Sequence, residues 1–145
     1  MKLIIDGDGC PVTDIVIKTG LKYNIPVILI CDTAHYSEKQ DCETIFVTKG
    51  ADSADFVIIN RAETGDIVIT QDYGLAAMCL SKNVHVLNQN GFLYTHENID
   101  GMLFRRHIGR QVRKSGGRST HIPKRKKEDD IRFESCLTKL IDKIT

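Results

Sequence analysis

The chain has 145 residues, 41% of them hydrophobic and 27% charged, with a formal net charge of +1. That length and apolar content suit one domain with a real core, and no apolar run approaches the roughly 18 residues of a membrane span. Five cysteines without a C-x-x-C pair speak against a disulfide framework or a zinc site. Asp6 follows only three apolar residues, too soon for a signal peptide, so a cytoplasmic location is expected.

The opening run, residues 2–5, is too short for a helix and rich in β-branched side chains, so it reads as a buried strand. It ends in Asp6-Gly7-Asp8-Gly9-Cys10-Pro11, a turn whose proline suits the first helical position. Val12, Ile15, Val16, Thr19 and Tyr23 recur at helical spacing up to Asn24. Residues 27–31 are continuously apolar, as in a strand covered on both faces, and a polar loop separates them from a third strand at 44–48. Residues 50–55 lead into a helix at 56–61. After the turn Thr64-Gly65-Asp66 comes the clearest strand, 67–70, then Gln71-Asp72 and a helix carrying Leu75, Met78, Cys79 and Lys82. Residues 84–88 form a fifth strand. The alternation predicts an α/β fold with a doubly wound, mostly parallel five-stranded sheet.

Beyond residue 95 the pattern changes. Thr95 and Asn98 start a helix whose apolar stripe is Ile99, Leu103, Phe104, Ile108 and Val112, with Arg106, Arg110 and Arg113 on the opposite face. A basic loop spans 118–127, and Ile131, Phe133, Leu137, Leu140, Ile141 and Ile144 mark a closing amphipathic helix. The charge is divided accordingly. Residues 1–104 carry −7, residues 105–127 carry +10 with no acid, and residues 128–145 carry −2. The expected organisation is a single domain over 1–145: an acidic α/β body over 1–104, a basic C-terminal helical extension of helix and loop over 105–127, and a closing helix over 128–145.

In a parallel sheet, Asp6 and Asp8 after the first strand and Asp72 after the fourth emerge at the carboxyl edge, where open α/β sheets place ligands. Asp52 and Asp55, three apart at a helix start, present both carboxyls on one side. Such a cluster calls for a hard divalent cation, Mg²⁺ or Mn²⁺, and two ions could activate water and stabilise the leaving oxygen of a phosphodiester. Each of these aspartates also has a simpler reading as a turn or helix cap. No histidine shows ligand spacing, and His85 reads as a packed or edge residue. Cys10 suits a small buried cysteine better than a nucleophile. No phosphate-cradling glycine motif occurs, which argues against a nucleotide cofactor.

Asp6-Gly7-Asp8-Gly9-Cys10-Pro11-Val12, Gly50-Ala51-Asp52-Ser53-Ala54-Asp55, Gly65-Asp66-Ile67-Val68-Ile69-Thr70-Gln71-Asp72 and Arg105-Arg106 together resemble the YaiI/YqxD family of uncharacterised bacterial proteins. The resemblance spans most of the chain. That family is in turn similar to PIN-like nuclease domains, which implies a PIN-like fold for the single domain and an acidic site that cuts single-stranded RNA with Mg²⁺ or Mn²⁺. The PIN-like pattern falls on Asp6, on Thr70-Gln71-Asp72 and on either Asp52 or Asp55. Asp8, Gly9, Cys10 and Pro11 belong to the smaller family's own pattern.

The sequence therefore predicts a metal-dependent phosphodiesterase acting on RNA. Asp6, Asp8, Asp52 or Asp55, and Asp72 form its acidic site, supported by Thr70, Cys10 and Pro11, and Arg105, Arg106, Arg110, Arg113 and Arg118 meet the backbone. Two alternatives stay open. The basic segment alone would serve a non-catalytic RNA-binding or ribosome-associated module. Ile4-Ile5-Asp6-Gly7-Asp8-Gly9 also resembles the first motif of haloacid-dehalogenase-like phosphatases, without a later G-D-x-x-x-D segment. The oligomeric state is left open, a homodimer included.

Overall fold

In the computed structural model, which describes residues 1–32, 41–48, 53–114 and 124–145, strand β1 (Leu3–Asp6) lies inside a six-stranded sheet. Leu3, Ile4 and Ile5 are fully buried because both faces of the sheet are covered. β1 pairs in parallel with β2 (Val27–Asp32) on one side and β4 (Ile67–Ile69) on the other. Outside β2 lies β3 (Glu43–Val47) and outside β4 lies β5 (His85–Leu87), both parallel. A short β6 (Leu93–Tyr94) closes the edge antiparallel to β5, giving the order β3-β2-β1-β4-β5-β6.

The doubly wound α/β expectation agrees with this sheet, but the strand count does not. β6 has only two residues, too few for a periodic signature. It is positioned by a turn in which Asn88 Oδ1 accepts the backbone N–H groups of Asn90 and Phe92, each at 2.9 Å.

Two sets of helices cover the sheet. α1 (Thr13–Tyr23) and α5 (Lys127–Ile144) share one core with Leu3, Ile5, Ile67 and Ile69. On the other face, α2 (Ser53–Arg61), α3 (Tyr73–Ser81) and α4 (Ile99–Lys114) pack on Ile4, Ile30, Val68 and Val86. The closing helix α5 is part of the core. Phe133, Leu137, Leu140 and Ile141 of α5 are buried in the core, and each such side chain contributes roughly 1.5–3 kcal/mol.

Several faces differ from the sequence reading. Pro11 lies in a turn before α1, whose N-cap is Val12, so it is not the first helical residue. In α3 the buried residues are Leu75, Ala76, Cys79 and Leu80, while Met78 is exposed. Lys82 caps instead of packing. Its ammonium donates to the carbonyls of Ile59 and Ala62 at 2.6 and 2.7 Å, where the end of α2 has unsatisfied acceptors. In α4 the inward residues are Ile99, Met102 and Leu103, and Phe104, Ile108 and Val112 face outward. The apolar residues of α4 fall on two neighbouring faces, and the face of Ile99, Met102 and Leu103 is the one that meets the core. Ile131 of α5 is likewise exposed. No described helix is long and apolar enough to cross a membrane.

Candidate active site

From β1 the chain runs outward to β2 and β3, then returns to the far side of β1 as β4. The boundary between β1 and β4 is thus a topological switch point, where the connections diverge and leave a crevice beyond the strand ends. A cleft of about 460 Å³ opens there, with Asp6, Asp8, Thr70, Asp72, Gln89 and Arg106 among its lining residues.

Asp6 closes β1 opposite Ile30 of β2. Gly7 follows because the loop hugs β2: its N–H donates to the Ile30 carbonyl at 2.7 Å, and a Cβ there would lie 2.8 Å from that oxygen. Gly9 then reverses the chain at φ +68, a conformation open to glycine. Asp8 ties this loop to the end of β2 by accepting the Asp32 N–H at 3.2 Å.

On the β4 side, the buried Thr70 links two acids. Its hydroxyl donates to Asp6 Oδ2 at 2.8 Å and accepts the Asp72 N–H at 3.0 Å. Asp72 is the N-cap of α3, its Oδ1 accepting from Gly74 and Leu75 N–H at 2.8 and 3.2 Å. The same oxygen lies 3.5 Å from Arg106 Nη1. Both side chains of that pair are more than a third exposed, so it contributes at most about 1 kcal/mol.

The electrostatics centre on Asp6. Burial pushes its carboxyl up to about 6, helped by the charges of Asp55, Asp8 and Asp72 and opposed by the Thr70 hydroxyl. Asp55, in the first turn of α2, thus acts on the same centre from a third element. Cys10 also lines the cleft, and burial raises its thiol, the direction opposite to that of an activated nucleophile.

Among the described residues, no three His, Cys, Asp or Glu side chains stand close enough to grip one ion. The donor chemistry nevertheless fits a hard divalent cation, since the acids gathered here offer carboxylate oxygens. Mg²⁺ characteristically keeps several waters and takes one or two carboxylates plus phosphate oxygens.

The structure therefore brings Asp6, Asp8, Asp55, Asp72, Thr70, Cys10 and Arg106 to one region, while Pro11 sits in the exposed turn behind it. Arg105 flanks an adjoining groove, and Arg110 is exposed one turn further along α4. Asp52, Arg118 and the side chain of Arg113 lie outside the described residues. Gln71, Tyr73 and Gln89 line the cleft without having been singled out by sequence. Their signal was positional: Gln71 and Tyr73 flank Asp72, and Gln89 follows the strand next to β4.

A sequence profile of the family described as Uncharacterized BCR, YaiI/YqxD family matches residues 4–143. A UPF0178 protein of Alkaliphilus oremlandii is 49% identical over 142 residues, covering 98% of this chain and 92% of the relative. Another, of Ruminiclostridium cellulolyticum, is 50% identical over 137 residues, covering 94% and 90%. Among solved structures, Rae1 (YacP) of Bacillus subtilis is similar with a TM-score of 0.44 and 18% identity, over 80% of this chain and 84% of that one.

Proposed function

The chain belongs to the YaiI/YqxD family, and from that kinship and the chemistry of its cleft we propose that it hydrolyses phosphodiester bonds of single-stranded RNA with the help of Mg²⁺ or Mn²⁺. The observation that carries this reading is the convergence of Asp6, Asp8 and Asp72 on one cleft at the sheet's switch point. Carboxylates gathered on one cleft repel one another, and a divalent cation relieves that repulsion.

Asp6 and Asp8 would hold that cation, with Asp72 facing them across the cleft. When bound, the ion supplies an activated water and neutralises charge on the leaving oxygen. Thr70 keeps the Asp6 carboxylate in one orientation through its 2.8 Å hydrogen bond. Arg106 exchanges its weak pairing with Asp72 for a phosphate oxygen, which its planar donor fork suits better. Exposed Arg110 extends the positive charge along α4 for the flanking backbone.

The test is cleavage of labelled single-stranded RNA with Mn²⁺ or Mg²⁺, with a chelator control and Asp6→Asn. Cutting should require metal and vanish in the variant. A second reading, RNA binding without hydrolysis, draws on the engagement of Asp72 as a helix cap and on the lack of a ready-made ligand trio among the described residues. RNA bound equally well in chelator and left intact with either metal would establish it and overturn the first.

A further inference from the structure

A second groove of about 380 Å³, lined by Tyr73, Met102, Arg105, Arg106 and Gly109, adjoins the acidic cleft. Tyr73 and Arg106 line both, so the two share a wall. The groove differs from the cleft in chemistry. It offers an aromatic ring, a thioether and two guanidinium groups, with no acid among its lining residues, and Gly109 puts no side chain into it.

Tyr73 is unusually well placed for a surface aromatic. It is the first residue of α3, directly after the cap Asp72, so its backbone is fixed by the hydrogen bonds that start the helix. Its ring meets that of Tyr94 at 5.9 Å between centroids and 65° between planes. Tyr94 is buried and meets Phe92 in turn at 5.6 Å. A half-buried ring braced in this way loses little side-chain freedom when a flat partner lies against it. On the other side of the groove, Arg105 is steered back along its own helix by a hydrogen bond from Nε to the Gly101 carbonyl at 3.3 Å. Arg106 is steered toward Asp72.

We propose that this groove seats one nucleobase of a single-stranded RNA, stacked on Tyr73 and flanked by Arg105 and Arg106, next to the phosphate held in the acidic cleft. The inference rests on the RNA reading of that cleft. Stacking on an aromatic ring tolerates any base, since each has a π face, so this contact sets strandedness and register more than sequence. A duplex would keep its bases stacked on one another and leave the groove empty. The flanking guanidinium groups add a cation–π contribution and compensate the adjoining phosphates.

The experiment measures affinity in chelator, where no hydrolysis intervenes, by fluorescence anisotropy of a short labelled RNA and of the same RNA with a single abasic site moved along it. One abasic position should weaken binding to the wild type by about fivefold or more. Tyr73→Ala should weaken intact RNA by a similar factor and leave the RNA abasic at that position unaffected, while Tyr73→Phe should bind intact RNA like the wild type. Melting curves of both variants report whether the fold persists. Equal weakening of intact and abasic RNA by Tyr73→Ala would assign the groove to backbone or to folding and overturn the proposal. So would a wild type indifferent to every abasic site, or one that binds no single-stranded RNA. Base-dependent binding without cleavage under any metal would sink the nuclease reading alone, and metal-dependent cleavage with affinity indifferent to Tyr73 would sink the stacking alone.

Discussion

The hydroxyl of Thr70 donates to Asp6 at 2.8 Å, joining residues 64 positions apart across the boundary of β1 and β4. The same oxygen accepts the Asp72 N–H, so one side chain sets the spacing of two acids. Thr70→Val keeps the shape and deletes both bonds, leaving a half-buried acceptor and a half-buried N–H to find other partners. A loss of about 1–3 kcal/mol in chemical denaturation is expected. Because the hydroxyl is what opposes burial at Asp6, the Asp6 carboxyl should also titrate above its value of about 6, observable by carbon NMR of the carboxyl. Thr70→Ser should restore both. An unmoved Asp6 titration in the valine variant would show that the hydroxyl does not govern it.

Arg106 and Arg110 provide the second prediction. Each phosphate contact by a cation releases counterions and contributes about 0.7 to the slope of log affinity against log salt for single strands. Arg106→Glu combined with Arg110→Glu should weaken RNA binding and flatten that slope by roughly one to two contacts' worth. An unchanged slope would remove this helix from the backbone interface.

At the opposite edge of the sheet, Asp66 provides a prediction about stability alone. It is buried, accepts the backbone N–H groups of Lys2 and Glu63 at 2.9 Å each, and pairs with the Lys2 ammonium at 2.9 Å. This carboxylate pins the start of β1 to the turn before β4, and it holds the Lys2 ammonium above its ordinary range. Asp66→Ala strands those donors and should cost about 2–4 kcal/mol. Glu63→Gln, on an exposed residue, should cost less than about 1 kcal/mol. Comparable losses in the two variants would contradict the assignment.

Much of this was legible in the chain because parallel strands covered on both faces leave continuous apolar runs. Residues 27–31 and 67–70 announced β2 and β4, and the acids that follow β1 and β4 had to meet once those strands were neighbours. What escaped detection had no local signal. The pairing of β6 depends on the turn that Asn88 makes, and two residues carry no period. The face of α4 was misjudged because two stripes on it are equally apolar by count. The choice between them depends on the core that α4 meets, which is built from strands and helices distant in the chain. Tyr73 looked like an ordinary helix residue, since its place between two grooves arises only when α4 is laid against α3.

Asp6 itself offers the sharpest test, because it needs no substrate. An unfolded aspartate titrates near 3.9, and burial together with Asp55, Asp8 and Asp72 raises the folded carboxyl to about 6. The folded state therefore binds more protons between those two values, and stability should fall as pH rises through that window. Below about pH 4 the carboxyl is neutral in both states and the penalty is absent. Above about pH 6 it is complete, on the order of 3 kcal/mol in the limit. Asp6→Asn keeps an acceptor for Thr70 and removes the charge, so in chelator at pH 7 it should be more stable than wild type by about 1–3 kcal/mol, a melting shift of several degrees. At pH 4 the advantage should disappear. Millimolar Mn²⁺ should stabilise the wild type and do much less for the variant, because linkage acts only where the folded state binds the ion. A variant that melts below wild type at pH 7 in chelator, beside a wild type indifferent to Mn²⁺ and Mg²⁺, would make Asp6 a turn residue and remove the basis for a metal site.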